Sequence, residues 1–138
     1  MDRKMIPMIF LLALLAGAAM AAGLAVSEAV ICTGVQDRAP VGAGDSFFTD
    51  VGTLFCFTRI TGGAEGTTVS HVWFFNEKQV AAVELKVGSS NWRTWSSKRI
   101  KPGDVGAWKV EVRDREGKTL KTIEFKTSRR EATGSTNP

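Results

Sequence analysis

One histidine, two cysteines and a band of tryptophans interleaved with basic residues are the groups in this 138-residue chain whose types could do chemistry. A serine or cysteine nucleophile needs a neighbouring base. Gly44-Asp45-Ser46 offers a serine, but hydrolases built on such a block take their base from a histidine near the C-terminus, and nothing after His71 can fill that role. Cysteine chemistry would need Cys32 or Cys56 beside His71, and all three fall in predicted strands, where rigid burial is the expected fate. Asp45, Asp50 and Glu65 fall in loops and could supply a carboxylate pair, although loop acids are usually just solvated. There is no phosphate-cradling glycine motif. One histidine and two cysteines are too few for a zinc site of the His/Cys type, so neither a metal nor a cofactor is expected.

The richest stretch lies between His71 and Lys98. His71-Val72-Trp73-Phe74-Phe75 is followed by Asn91-Trp92-Arg93-Thr94-Trp95-Ser96-Ser97-Lys98. Strand alternation puts His71, Trp73 and Phe75 on one face. It sets Trp92, Thr94 and Ser96 opposite Arg93, Trp95 and Ser97, so one tryptophan of this pair should point in and one out. An exposed indole beside Arg93 and Lys98 would make a stacking platform for a sugar or peptide, with cations for an anionic glycan or a partner's carboxylate. The plainer reading is that the tryptophans fill a core, an arginine covers one edge, and His71 with the Ser96 or Ser97 hydroxyl satisfies polar groups at a sheet edge.

The elements that must position these residues read as strands. After Ala25 no segment sustains a helical period, whereas short runs of Val, Phe, Trp, Ile and Thr recur between Gly, Asn, Asp and Pro. Strands are predicted at 27–35, 53–60, 69–75, 79–87, 92–97, 108–113 and 119–126. About seven short antiparallel strands predict an all-β, immunoglobulin-like β-sandwich. Trp108, Val110 and Val112 alternate with charges and should face the core, with Ile123 and Phe125 returning the apolar face. Asp114-Arg115-Glu116-Gly117 and Asn76-Glu77-Lys78 are tight turns, and the stretch from Ala39 to Gly44 is expected to be a mobile loop. The sandwich should span 26–127, leaving 128–138 as a disordered tail.

The first segment reads as a targeting signal. A short charged start, an uncharged apolar run over 5–25 and the small-x-small sequence Ala19-Met20-Ala21 follow the order of a secretory signal peptide over 1–21. Gly23-Leu24-Ala25 is a second cleavage candidate. The alternative is an uncleaved membrane-anchor helix reaching to residue 25. Export predicts a periplasmic or secreted protein, or one anchored to the inner membrane if the segment stays. The net charge of +4 is too small to imply nucleic acid. Asn76, Asn91 and Asn137 all fail the glycosylation pattern, which suits bacterial export. In an oxidising compartment Cys32 and Cys56 could form a disulfide worth on the order of 3.5 kcal/mol, or they could be two buried free thiols.

Five blocks resemble one family. Val35-Gln36-Asp37-Arg38-Ala39-Pro40-Val41, Leu54-Phe55-Cys56-Phe57-Thr58, His71-Val72-Trp73-Phe74 with Asn76, Trp92-Arg93-Thr94-Trp95-Ser96-Ser97-Lys98 and Gly106-Ala107-Trp108-Lys109-Val110 are similar, in order, to motifs of the bacterial domain of unknown function 2914. The resemblance implies an exported or membrane-tethered β-domain and no activity. It marks Arg38, His71, Trp73, Trp92, Arg93, Ser97 and Lys98 as the residues matching the characteristic motif letters. Glu77 stands where a turn glycine is common, which predicts a longer hairpin or another turn type. The expected function is a non-catalytic cell-envelope module binding a partner protein or cell-wall glycan through His71, Trp73, Trp92, Arg93, Trp95, Ser97, Lys98 and Arg38. The alternatives are a purely structural or assembly domain and, third, an enzyme using His71.

Overall fold

The computed structural model of the chain describes residues 23–131. Ten strands run in order: β1 Ala25–Cys32, β2 Gly34–Gln36, β3 Ala39–Val41, β4 Ser46–Phe48, β5 Thr53–Thr61, β6 Thr67–Phe75, β7 Lys78–Val87, β8 Asn91–Arg99, β9 Gly106–Arg113 and β10 Thr119–Ser128. The seven long ones are the seven predicted from alternation. β1, β5 and β8 form one sheet, and β4, β10, β9, β6 and β7 form the other. The first, second and fifth long strands thus face the third, fourth, sixth and seventh, in an immunoglobulin-like sandwich. The predicted signal or anchor segment over 1–21 lies outside the described residues.

The apolar alternation explains the packing. Trp108, Val110 and Val112 point inward from β9 and are buried, as is Phe125 from β10. Two apolar clusters result. One gathers Ile31, Leu54, Cys56, Trp73, Ile100, Trp108, Val110 and Phe125. The other gathers Ile60, Val69, Val87 and Val112, with Leu24, Val26 and Trp92 packed against it. Trp108 stacks on Phe125 with ring centroids 5.6 Å apart, and its indole N–H donates to Thr127 Oγ1 at 2.9 Å.

Five features differ from the sequence reading. The first predicted strand breaks at Thr33, after which the chain folds back as the β2–β3 hairpin, so Ala39–Val41, the first half of the predicted loop, is a strand. The sandwich is not wholly antiparallel, because β4 pairs in parallel with β10 through Lys126↔Ser46, Thr127↔Phe47 and Ser128↔Phe48. That ladder carries β10 to Ser128, and Arg130 bonds Asp50 at 2.7 Å, so the start of the predicted tail is attached to the fold. At the other end Leu24 already packs on the core and β1 begins at Ala25, so residues up to 25 cannot all belong to an anchor helix.

The fifth concerns the cysteines: of the two outcomes left open, a disulfide or buried free thiols, they take the second, both free and buried. Register is the reason. β1 pairs with β5 through Ile31↔Cys56 and Cys32↔Phe55. Opposed residues share a face and neighbours alternate. Cys56 therefore points into the sandwich beside Leu54 and Thr58, while Cys32 points to the outer face. Side chains leaving opposite faces of one sheet cannot be bridged. Burial pushes both thiols above their usual pKa. Alkylation of the denatured, unreduced protein should add two adducts per chain by intact mass, and alkylation of the native protein none.

The β6–β7 hairpin keeps a two-residue turn despite its missing glycine. Asn76 and Glu77 both take positive φ, 49° and 73°, as a type I′ turn demands. Asn76 also ties the turn to β9, donating its N–H to the Ala107 carbonyl at 2.7 Å and accepting the Ala107 N–H on Oδ1 at 3.0 Å. Left-handed backbone costs an L-residue roughly 1–2 kcal/mol, part of which a glycine returns through unfolded-state entropy. Glu77→Gly should therefore raise stability by about 1 kcal/mol in chemical denaturation.

Candidate functional site

Between the two apolar clusters lies a belt of polar side chains. Each occupies an inward position in its strand: Thr58 between Cys56 and Ile60, His71 between Val69 and Trp73, Ser96 two residues after Thr94. Trp73 Nε1 donates to Ser96 Oγ at 3.1 Å, and Ser96 Oγ lies 2.7 Å from His71 Nδ1. His71 Nε2 lies 3.2 Å from Thr58 Oγ1, which donates to the Thr94 carbonyl at 2.9 Å. Thr58 has one hydroxyl proton, and it goes to Thr94. Its oxygen must then accept from His71 Nε2–H, which leaves Nδ1 bare to accept the Ser96 hydroxyl proton. The result is one directed chain, Trp73 to Ser96 and His71 to Thr58 to Thr94, joining β6 of one sheet to β5 and β8 of the other.

This chain fixes His71 as a neutral imidazole. The residue is 0% exposed, as is Trp73. Burial drives its pKa from the usual 6.5 to about 4. A second ring proton would also point at Ser96 Oγ, which already accepts from Trp73.

The outer face of the β1–β5–β8 sheet carries a different group. β8 pairs with β5 through Phe55↔Ser97, Phe57↔Trp95 and Arg59↔Arg93, so these six side chains share the outward face. Trp95 stacks on Phe57, with ring centroids 5.9 Å apart and planes 14° from parallel. That stack buries Phe57 and leaves Trp95 half-exposed. Arg93 Nη1 donates to the Arg38 carbonyl at 3.1 Å, drawing in the tip of the β2–β3 hairpin. Asp37 and Arg38 form that tip with φ of 52° and 61°. The Arg38 guanidinium in turn lies 5.9 Å from the Trp92 ring centre. Arg59 reaches Glu28 at 3.8 Å and Asn91 Oδ1 at 3.1 Å.

The eight residues singled out in the sequence therefore divide. Arg93, Trp95 and Ser97 share the outer face, with Arg38 beside them. His71 and Trp73 are sealed in the interior and do not lie on a binding surface. Trp92 is half-buried against the second apolar cluster. Lys98 pairs with Leu54 and so belongs to the opposite face from Arg93, at the rim. Both Trp92 and Trp95 are half-buried, because each packs on one side and meets the end or outside of the sandwich on the other. Sequence reasoning missed Thr58, Thr94, Phe57 and Arg59. The alternation of Leu54, Cys56, Thr58 and Ile60 carried the signal for Thr58. The sequence reading has His71 and the Ser96 or Ser97 hydroxyl satisfying polar groups at a sheet edge, whereas His71 and Ser96 bond each other between the sheets.

Among the described residues no group of His, Cys, Asp and Glu could hold a metal, and no helix is long and apolar enough to cross a membrane. Residues 66–127 match the family model described as "Protein of unknown function (DUF2914)". The match runs from just before β6 into β10, so the blocks around Arg38 and Phe57 precede it. No curated protein matches the chain.

The belt makes stability pH-dependent. Above pH 6.5 His71 is neutral folded or unfolded and contributes no slope. Between 6.5 and about 4 the unfolded chain takes up a proton that the folded chain refuses, so stability falls as pH falls. The loss should reach about 3 kcal/mol near pH 4 and then level. Denaturation of wild type and His71→Gln across this range should show the slope in wild type and its loss in the variant.

Proposed function

We propose that this chain, whose residues 66–127 match the DUF2914 family model, is an exported, non-catalytic cell-envelope module that binds a partner protein or cell-wall glycan through the outer face of its three-stranded sheet. The observation that carries the reading is the grouping of Arg93 and Trp95 on that face, with Arg59 alongside and the Arg38 carbonyl held by Arg93. An indole flat on Phe57 offers its other side for stacking, and guanidinium groups bind carboxylates in bidentate fashion. The apolar run over 5–25 and the small-x-small site at Ala19-Met20-Ala21 support export. Cleavage after Ala21 would keep Leu24 on the core, whereas cleavage after Ala25 would strip it.

The reading as a purely structural domain draws on the belt, where His71, Trp73 and Ser96 hold the sheets together. The catalytic reading is weakened by the same chain, since both His71 nitrogens are committed inside a dry core.

Binding to peptidoglycan and to fractionated envelope proteins should fall about tenfold or more in Arg93→Ala and Trp95→Ala. Lys98→Ala, on the other face, is the internal control and should bind as wild type. Equal retention of all three variants would sink the proposed face.

A further inference from the structure

Each edge of a sheet offers unpaired backbone N–H and C=O groups to any extended chain. The two larger sheets have four edges: β1, β8, β4 and β7. Three are blunted. β1 bulges between Val26 and Glu28, and Gly44 meets its outer side, donating its N–H to the Ile31 carbonyl at 3.0 Å. β4 is three residues long. β7 carries an extra residue, Val80, which shifts its register against Trp73 and Phe74. β8 has none of these devices. Its nine residues pair with β5 without a register shift, and no strand among the described residues takes its other edge.

Charge is what guards β8. The strand holds Arg93, Lys98 and Arg99 and no acidic residue. Arg59 stands beside Arg93, and its acidic neighbour Glu28 is 3.8 Å away and engaged. Two copies meeting edge to edge would bring these cations together, which disfavours self-pairing. The outward pair among them, Arg93 and Arg99, favours an acidic strand.

The geometry points to β8 as a strand-addition site that takes an extended acidic segment of a partner protein as the fourth strand of the β1–β5–β8 sheet. This deepens the reading of the outer face and rests on it. Backbone hydrogen bonds to β8 supply affinity whatever the partner's sequence, and alternate side chains supply selection. Partner residues on the outer face lie alongside Arg93 and Arg99, where carboxylates gain charge-assisted bonds. Those on the inner side meet Trp92 and the rim of the core, where apolar side chains fit. The segment this site selects alternates acidic and apolar residues.

The test titrates the full chain with a peptide of about ten residues alternating Val and Glu, the length of a typical long strand, while backbone amide exchange is followed. The expected result is saturable binding with slowed exchange at β8 amides. Binding should weaken about tenfold or more in the Arg93→Glu/Arg99→Glu double variant, with its unfolding midpoint checked against wild type. A Val/Lys peptide and an N-methylated Val/Glu peptide should not bind. Polygalacturonate forms the second arm, since it carries carboxylates but cannot add a strand. If it binds with the same Arg93 dependence while the peptide does not, or if the peptide binds without protecting β8, strand addition is wrong and the outer-face reading stands. If neither binds, both fall. If the free chain already dimerises with β8 protected, a second copy is the occupant and the acidic-segment proposal fails.

Discussion

A single run of hydrogen bonds through the middle of the sandwich constrains everything around it. Trp73, Ser96, His71, Thr58 and the Thr94 carbonyl come from three strands in two sheets, and each donor has one acceptor it cannot exchange. Apolar side chains on either side would tolerate a small slide of one sheet over the other, because dispersion and burial have little directional demand. The polar belt would not. A displaced belt would strand an indole N–H, an imidazole and two hydroxyls in a dry interior, at about 1–3 kcal/mol for each unsatisfied group. Its worth thus lies less in net stability than in fixing one register between the sheets, with an apolar cluster at each end free to pack tightly.

The outer face of the three-stranded sheet follows from that constraint. Once Thr94 and Ser96 are committed inward, alternation sends Arg93, Trp95 and Ser97 out. The outward positions of β5 then bring Phe57 under Trp95 and Arg59 beside Arg93. The β2–β3 hairpin covers part of this surface, and its strained turn hands the Arg38 carbonyl to Arg93. One strand pair therefore serves two purposes: the inner side locks the fold, and the outer side displays cations around an indole.

How far this was legible in the sequence depended on whether a strand had one apolar face or two. β9 alternates Trp, Val and Val with Lys, Glu and Arg, so its burial could be read directly. β6 is apolar on both sides: Val72 is buried on the outer face as His71 and Trp73 are on the inner. Parity put His71 and Trp73 together but could not say that their side was the interior. The cysteines failed for a related reason. Whether Cys32 and Cys56 share a face turns on a one-residue choice of pairing between β1 and β5, and nothing local in either strand makes that choice. The β2–β3 hairpin was hidden because its turn, Asp37-Arg38, lacks the glycine that usually announces one. β4 was hidden because three residues show no period. Arg93 and Trp95 were placed together correctly, while Lys98 had the opposite parity from the start.

The chain enters the sandwich at Ala25, opposite Thr61, and leaves it at Ser128, near Gly106 and Phe48. These points lie at opposite ends of the sandwich, with β1 and β10 running from one end to the other. Ladder hydrogen bonds stand perpendicular to their strands. Tension applied between the two termini therefore acts along β1 and β10 and shears their ladders all at once, instead of peeling them bond by bond. β10 is held on both sides, by β9 and by the short parallel strand β4. A domain strung between a fixed point at one end and a moving one at the other would, in this geometry, transmit force along its length with its fold intact.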